Sequence, residues 1–370
     1  MLLSLSISYA QKKTEFIKGG KVSIESKILG EKRIMTVYLP ESYNSGSQKY
    51  PVLYLLDGRA HFYHTTSAVN FLSNRGITPQ IIVVAVYNVD RNRDFLPSHV
   101  ERIPTSGGAE KFLNFISDEL TEYIDNNYRT SNFSVLMGHS FGGTFATYSL
   151  LTKPELFDAY IAVSPFLHYD DNYLVKEAGK TQHSDFKGQK YFYMTIGDEP
   201  NYYSALGDFS SIINEKYSEI IDLDYVKMES EDHATTPYLS VFNGLRFIFS
   251  DWQIPASELE QGLSAVDEYY KNLSAKYEME VTSSENLLNR LGYTYLQNED
   301  IENAIMVFKE NVKRYPKSSN VYDSLGEAYE KNDQLDLALK NYKIAYDLGM
   351  KENHVNTGVY LKNLKRVQQK

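Results

Sequence analysis

An α/β fold with a mostly parallel sheet covered by helices on both faces, followed by an all-α segment, is predicted by three observations. Short, continuous apolar runs alternate with amphipathic stretches between residues 51 and 249, as strands buried on both faces alternate with covering helices. Nearly every apolar run ends in a polar cluster, the arrangement expected where ligands bind beyond the carboxyl ends of parallel strands. From Pro255 onward this pattern gives way to an internal repeat.

The elements follow in order. Lys21 to Leu29 and Lys32 to Leu39 alternate apolar and polar positions across Gly30-Glu31, which suits two antiparallel edge strands. Pro51 to Leu56 and Ile81 to Tyr87 are buried-strand runs, closed by Asp57-Gly58-Arg59 and by Asn88 to Asp94. Ala109 to Ile124 carries Phe112, Phe115, Leu120 and Ile124 near helical spacing. Phe133 to Met137, Ala159 to Val163, Tyr191 to Ile196 and Leu223 to Met228 read as further strands, and Phe242 to Phe249 as a closing helix. Glu258 to Ala275 reads as one charged amphipathic helix.

In the last segment, Leu291, Gly292 and Tyr295 recur 34 residues later as Leu325, Gly326 and Tyr329; Ala304 recurs as Ala338 and Phe308 as Tyr342. That period indicates tetratricopeptide-like helix pairs, in which Gly and Ala allow close crossing and aromatics fill the gaps. The predicted organisation is a possible signal-peptide remnant at 1–10, a catalytic α/β domain at 11–254, a linker helix at 255–283 and helical repeats with a capping helix at 284–370. Two repeat units offer a small concave surface, better suited to bracing or self-association than to peptide recognition.

Composition narrows the function. The 370 residues hold 38 Lys and Arg against 48 Asp and Glu, a net charge of −10, so there is no basic footprint for nucleic acid. Cysteine is absent, which removes thiol nucleophiles, disulfides and Cys-based zinc sites. No H-E-x-x-H or comparable spacing is present, so neither a metal nor a cofactor is expected. No later stretch is long and apolar enough to span a bilayer. The opening MLLSLSISYA places Ser8 and Ala10 where a signal peptidase cuts, and export to the periplasm or medium is the expectation.

The chemistry centres on Gly138-His139-Ser140-Phe141-Gly142, a G-x-S-x-G string between a buried strand and a helix. In that context the turn is sharp, the Ser140 hydroxyl stands clear of the backbone, and the Phe141 amide is aimed where a tetrahedral intermediate carries charge. A hydrolytic serine needs a base and an orienting acid, in this fold in the order Ser, acid, His. Asp198 and Glu199 close the Tyr191 to Ile196 strand, and His233 follows the last strand. Ser140 is therefore the candidate nucleophile and His233 the base. Glu199 is preferred over Asp198 as the acid, the other being an exposed turn residue. The Arg59 amide is the candidate second oxyanion donor, with Gly58 keeping the approach open.

Several stretches together resemble the esterase D and putative esterase family of α/β hydrolases. They are Val37-Tyr-Leu-Pro40, Tyr54-Leu-Leu-Asp-Gly58, Arg91-x-Arg-Asp94, Gly107-Gly-Ala-x-x-Phe112, Gly138 to Gly143, Ser164-Pro165, and His233-x-x-x-Pro237 with Gly244-Leu245, spanning about residues 24–252. The resemblance implies an α/β hydrolase with a Ser/acid/His site, no metal, and an oxyanion hole from the Arg59 and Phe141 amides. It implies a small-molecule or glycan ester substrate, since the family holds siderophore, feruloyl and acetyl-xylan esterases and mycolyltransferases. One departure is Ser164-Pro-Phe-Leu-His-Tyr169, where siderophore-esterase-like members often carry a Trp pair.

Around this core, Gly58, His168, Tyr169 and Arg91 are candidate substrate-binding residues. Arg91 and Arg93 either grip an anionic group or pair with Asp90 and Asp94. His139 reads as a packing residue pointing away from the cleft, and His61 and His64 as surface or satisfied histidines. The leading function is a serine carboxylic-ester hydrolase. Acyl transfer by the same site is one alternative. A hydrolase-like body that presents its repeats to a protein partner, or forms a homodimer through them, is another.

Overall fold

The apolar runs assemble into one eight-stranded sheet in the order β1-β2-β4-β3-β5-β6-β7-β8. The strands are β1 (Gly19–Ser26), β2 (Glu31–Tyr38), β3 (Tyr50–Leu55), β4 (Ile82–Val86), β5 (Thr130–His139), β6 (Ala159–Val163), β7 (Lys190–Ile196) and β8 (Ile221–Lys227). β1 and β2 pair antiparallel, β2 pairs antiparallel with β4, and all later pairings are parallel. This computed structural model describes residues 19–44 and 47–370, so the candidate signal segment at 1–10 lies outside the described residues.

Every residue of β3, β4 and β6 is buried, which is why their sequences are continuous apolar runs rather than alternating ones. The covering helices are α1 (Gly58–Asn74), α2 (Arg91–Phe95), α3 (Ala109–Phe115), α4 (Thr121–Asn127), α5 (Phe141–Thr152), α6 (Tyr169–Lys180), α7 (Tyr203–Tyr217) and α8 (Thr236–Ile248). A π-helical stretch, Ile116–Leu120, joins α3 to α4, so the helix expected over 109–124 is present with an irregular middle. The closing helix starts at Thr236, six residues earlier than its apolar pattern indicates, because Pro237 pre-sets the first turn.

Strand order reverses between β3 and β5. The β3–β4 crossover runs one way and the β5–β6 crossover the other, so right-handed connections put α1 and α5 on opposite faces. α8 packs on α1, and α5 packs on α2 and α6. The switch point therefore opens between the carboxyl ends of β3 and β5, where ligands bind in open α/β sheets.

The chain divides into two compact units, residues up to Gln253 with Tyr277–Met279, and Ile254–Lys276 with Glu280–Lys370. In the second lie α9 (Ala256–Leu259), α10 (Leu263–Lys276), α11 (Glu285–Gln297), α12 (Ile301–Arg314), α13 (Ser319–Lys331), α14 (Leu335–Glu352) and α15 (Thr357–Gln368). The single helix expected over 258–275 is two, because Gly262 adopts φ +94° and turns the chain between α9 and α10.

Residues 34 apart play the same part in successive helix pairs. A Cβ on Gly292 would sit 2.4 Å from Phe308 Cε1, and one on Gly326 2.8 Å from Tyr342 Cδ1. Ala304 and Ala338 are both wholly buried. Ser284 and Asp300 cap α11 and α12 through the backbone N–H groups of Leu287 and Asn303, each worth about 1 kcal/mol.

Candidate active site

Ser140 is placed by backbone constraints that its neighbours make possible. It has φ 58° and ψ −119°, a conformation costly for a non-glycine residue, and it precedes the first residue of α5. Its N–H donates to Val163 O at 2.8 Å, tying the elbow to β6. A Cβ on Gly138 would fall 2.1 Å from Gly142 O, so the turn closes only with glycine there. Phe141, as the first residue of α5, has an N–H with no intrahelical acceptor. Arg59, the second residue of α1, presents its N–H in the same way.

The register row His139, Val163, Thr195, Val226 crosses four strands. The residues just beyond it share one edge of the sheet: Ser140, Ser164, the Gly197–Glu199 turn and the loop carrying His233. There His233 Nδ1 lies 2.6 Å from Glu199 Oε2. Glu199 Oε1 accepts from Ser164 Oγ at 2.8 Å and from the Gly197 N–H at 3.3 Å. The Glu199 side chain is 8% exposed. Asp198, by contrast, is exposed, and only its backbone is fixed, by an N–H bond to Glu231 O at 2.7 Å. Among the described residues, the Ser140 hydroxyl has no hydrogen-bond partner.

Arg91 does not pair with Asp90 or Asp94. Its Nε and Nη2 grip Asp57 Oδ1 and Oδ2 at 2.8 and 3.0 Å, and Nη2 also donates to His139 O at 2.9 Å. Asn88 is a further donor to Asp57. The guanidinium thus links the residue before α1 to the residue before Ser140 and offsets the Asp57 carboxylate. Arg93 is spent on Glu31 and Asp94.

Other expected positions need correction. Tyr169 is 1% exposed and donates its hydroxyl to Ser98 O at 2.6 Å, so it is a core residue rather than a cleft residue. Gly58 is glycine because a Cβ would lie 2.6 Å from Ala85 C; it serves packing on β4. His139 does not point away: its ring centroid is 4.6 Å from that of His233. Burial, then the neighbouring His233 and His61, pushes the His139 pKa down to about 3, so its imidazole is neutral.

His168 takes part in an aromatic wall beside the elbow. Its ring centroid is 4.0 Å from Phe166 and 4.6 Å from Tyr202, and Phe166 is 5.5 Å from Phe141. All four are only partly buried. Ser164 and Asp57 lie in stretches that resemble the family but stand out there as neither catalytic nor binding residues, and Tyr202 has no mark in the sequence. The signal for Ser164 is its place directly after a buried-strand run, in the Ser164-Pro165 pair.

The chain resembles known proteins in sequence and fold. Residues 26–201 match the family model described as putative esterase. The chain is 30% identical over 229 residues to ferri-bacillibactin esterase BesA of Bacillus subtilis, covering 54% of this chain and 78% of that protein. The chain belongs to the putative esterase family. This esterase is also 25% identical over 267 residues to siderophore triacetylfusarinine C esterase of Aspergillus fumigatus, covering 60% of this chain and 90% of that one. An IroE-like serine hydrolase from Shewanella oneidensis superposes with a TM-score of 0.69 at 28% identity, over 80% of this chain and all of that chain. The esterase is a carboxylic ester hydrolase with an α/β-hydrolase fold. No described helix is long and apolar enough to cross a membrane, and no cluster of described residues is arranged to hold a metal ion.

Proposed function

We propose that the esterase cleaves its substrate through an acyl-Ser140 intermediate and that its substrates are siderophore esters. The observation that carries the mechanism is the 2.6 Å contact between His233 Nδ1 and Glu199 Oε2 at the edge that bears Ser140. With Nδ1–H donated to the carboxylate, Nε2 is left as the base. Ser140 Oγ attacks the ester carbonyl carbon while His233 Nε2 takes its proton. The Phe141 and Arg59 N–H groups receive the developing oxyanion. The C–O bond to the alcohol then breaks, His233 returns the proton to the leaving oxygen, and water hydrolyses the acyl-serine by the same steps.

The substrate class rests on the relatives named as ferri-bacillibactin and triacetylfusarinine C esterases. The aromatic wall of Phe141, Phe166, His168 and Tyr202 suits a large acyl group. The helix pairs of the second unit we read as tetratricopeptide-like, on their 34-residue repeat and matching Gly–aromatic contacts. A panel of siderophore esters, feruloylated and acetylated polysaccharides and simple acyl esters tests the substrate. The highest kcat/KM is expected on a siderophore ester; a tenfold preference for either polysaccharide class would overturn the assignment.

A further inference from the structure

A cavity of about 550 Å³ opens between the first turns of α1 and the loop that carries His233. His61, His64, Glu231, Thr235, Tyr238 and Leu239 line it. Ala60, next to Arg59, and Ala234, next to His233, both form part of its wall. An unbroken row of imidazoles joins it to the elbow: His64 to His61 at 5.2 Å, His61 to His139 at 5.3 Å, and His139 to His233 at 4.6 Å between centroids.

The cavity lies with α1 and α8, on one face of the sheet. The aromatic wall comes from α5 and the loops into α6 and α7, on the other. An ester bound at Ser140 between them has two ends to place. The leaving oxygen must receive its proton from His233, whose loop is a wall of the cavity, so the alcohol end lies on the cavity side and the acyl end along the aromatic wall.

The lining also states what it accepts. No Lys or Arg contributes to it, and Glu231 supplies a carboxylate. His64 is neutral, its pKa pushed down to about 4 by burial and then by His61, and burial also lowers that of His61. His64 gives the wall a neutral ring whose Nε2 is sealed off from the cavity without a hydrogen-bond partner, so the lining group that accepts from a ligand hydroxyl is the Glu231 carboxylate. Tyr238, 60% exposed, offers an open ring at the rim.

We propose that this cavity is the leaving-alcohol subsite and that it selects uncharged, hydroxyl-bearing alcohols over anionic ones. The proposal rests on the acyl-Ser140 reading. The step it governs is acylation: Ser140 Oγ bonds to the carbonyl carbon, the ester C–O bond breaks, and the alcohol leaves with the proton from His233. Deacylation takes place with the cavity already vacated.

The test uses the full chain and two ester series. One holds the acyl group fixed and varies the alcohol through methyl, an uncharged hydroxyl-bearing alkyl group and its carboxylate-bearing counterpart. The other holds the alcohol fixed and varies the acyl group. Tyr238→Ala and His64→Ala are expected to lower the kcat/KM ratio of the hydroxyl-bearing ester to the methyl ester about tenfold, with the change in the acylation rate constant. Glu231→Gln is expected to raise the relative rate of the carboxylate-bearing ester several-fold. Effects that follow the acyl series, or that fall on deacylation, would overturn the subsite, as would a wild-type preference for the anionic alcohol. Absence of any acyl-Ser140 species would overturn the mechanism and the subsite together. An acyl-Ser140 burst with an alcohol preference unmoved by all three variants would overturn the subsite alone.

Discussion

Glu199 Oε2 lies 2.6 Å from His233 Nδ1, while its other oxygen is held at 2.8 Å by the Ser164 hydroxyl. The carboxylate is thus fixed from both sides before it meets the imidazole. Ser164 itself has φ 40° and is buried, so the fold spends backbone strain on placing its hydroxyl.

The two adjacent carboxylates should behave differently. Glu199→Gln leaves the side-chain shape but offers His233 the wrong partner, and kcat is expected to fall about 10²- to 10⁴-fold. Asp198→Asn touches an exposed side chain and should stay within about twofold. Steady-state kinetics on one activated ester compares them, and the reverse order would exchange their roles.

Ser164→Ala removes one of the two bonds to Glu199 Oε1. About a tenfold loss in kcat with KM little changed is expected, together with a displaced acid limb in the kcat/KM profile. A drop in melting temperature with both kinetic readouts unmoved would make Ser164 a structural residue only.

Arg91→Lys replaces a planar fork with a point charge and cannot hold Asp57 bidentately while reaching His139 O. Because the clamp joins the segments bearing the Arg59 and Phe141 amides, kcat is expected to fall about ten- to a hundredfold. Asp57→Asn should produce a similar loss, and the double variant should lose less than the two combined, as a double-mutant cycle measures.

Acid should destabilise the fold through the buried imidazoles. The His139 pKa falls from 6.5 to about 3 on folding, so between those values the unfolded chain binds more protons than the native one. Stability is then full above pH 6.5 and declines as pH drops toward 3. His64 acts in the same direction from 6.5 to about 4. Melting temperatures across pH 7.5 to 4 should fall less steeply in His139→Asn and His64→Asn than in wild type; parallel curves would contradict the linkage.

Much of the architecture can be read from the sequence because it is written locally. The wholly buried strands β3, β4 and β6 appear as unbroken apolar runs, and the chain order Ser140, Glu199, His233 points to residues that the sheet brings to one edge. What escaped is settled by partners distant in sequence. Neither Asp198 nor Glu199 carries a local mark; Ser164, thirty-five positions away, holds Glu199 inward. Arg91 has acidic neighbours on both sides, yet Asp57, thirty-four positions away, offers the bidentate geometry. Tyr169 resembles a cleft residue until its hydroxyl is followed to Ser98 O in the core. The break at Gly262 hides because the apolar period runs through it, and only a backbone angle of +94° reveals the turn.

In the proposed mechanism Ser140 carries the acyl group. Intact-protein and peptide mass spectrometry after rapid quench with an activated ester tests it most directly, using wild type, Ser140→Ala and His233→Ala. A transient acyl adduct is expected on the peptide containing Ser140 in wild type, none in Ser140→Ala, and slow, incomplete acylation in His233→Ala. Turnover by Ser140→Ala at the wild-type rate, or an adduct on any other residue, would contradict it.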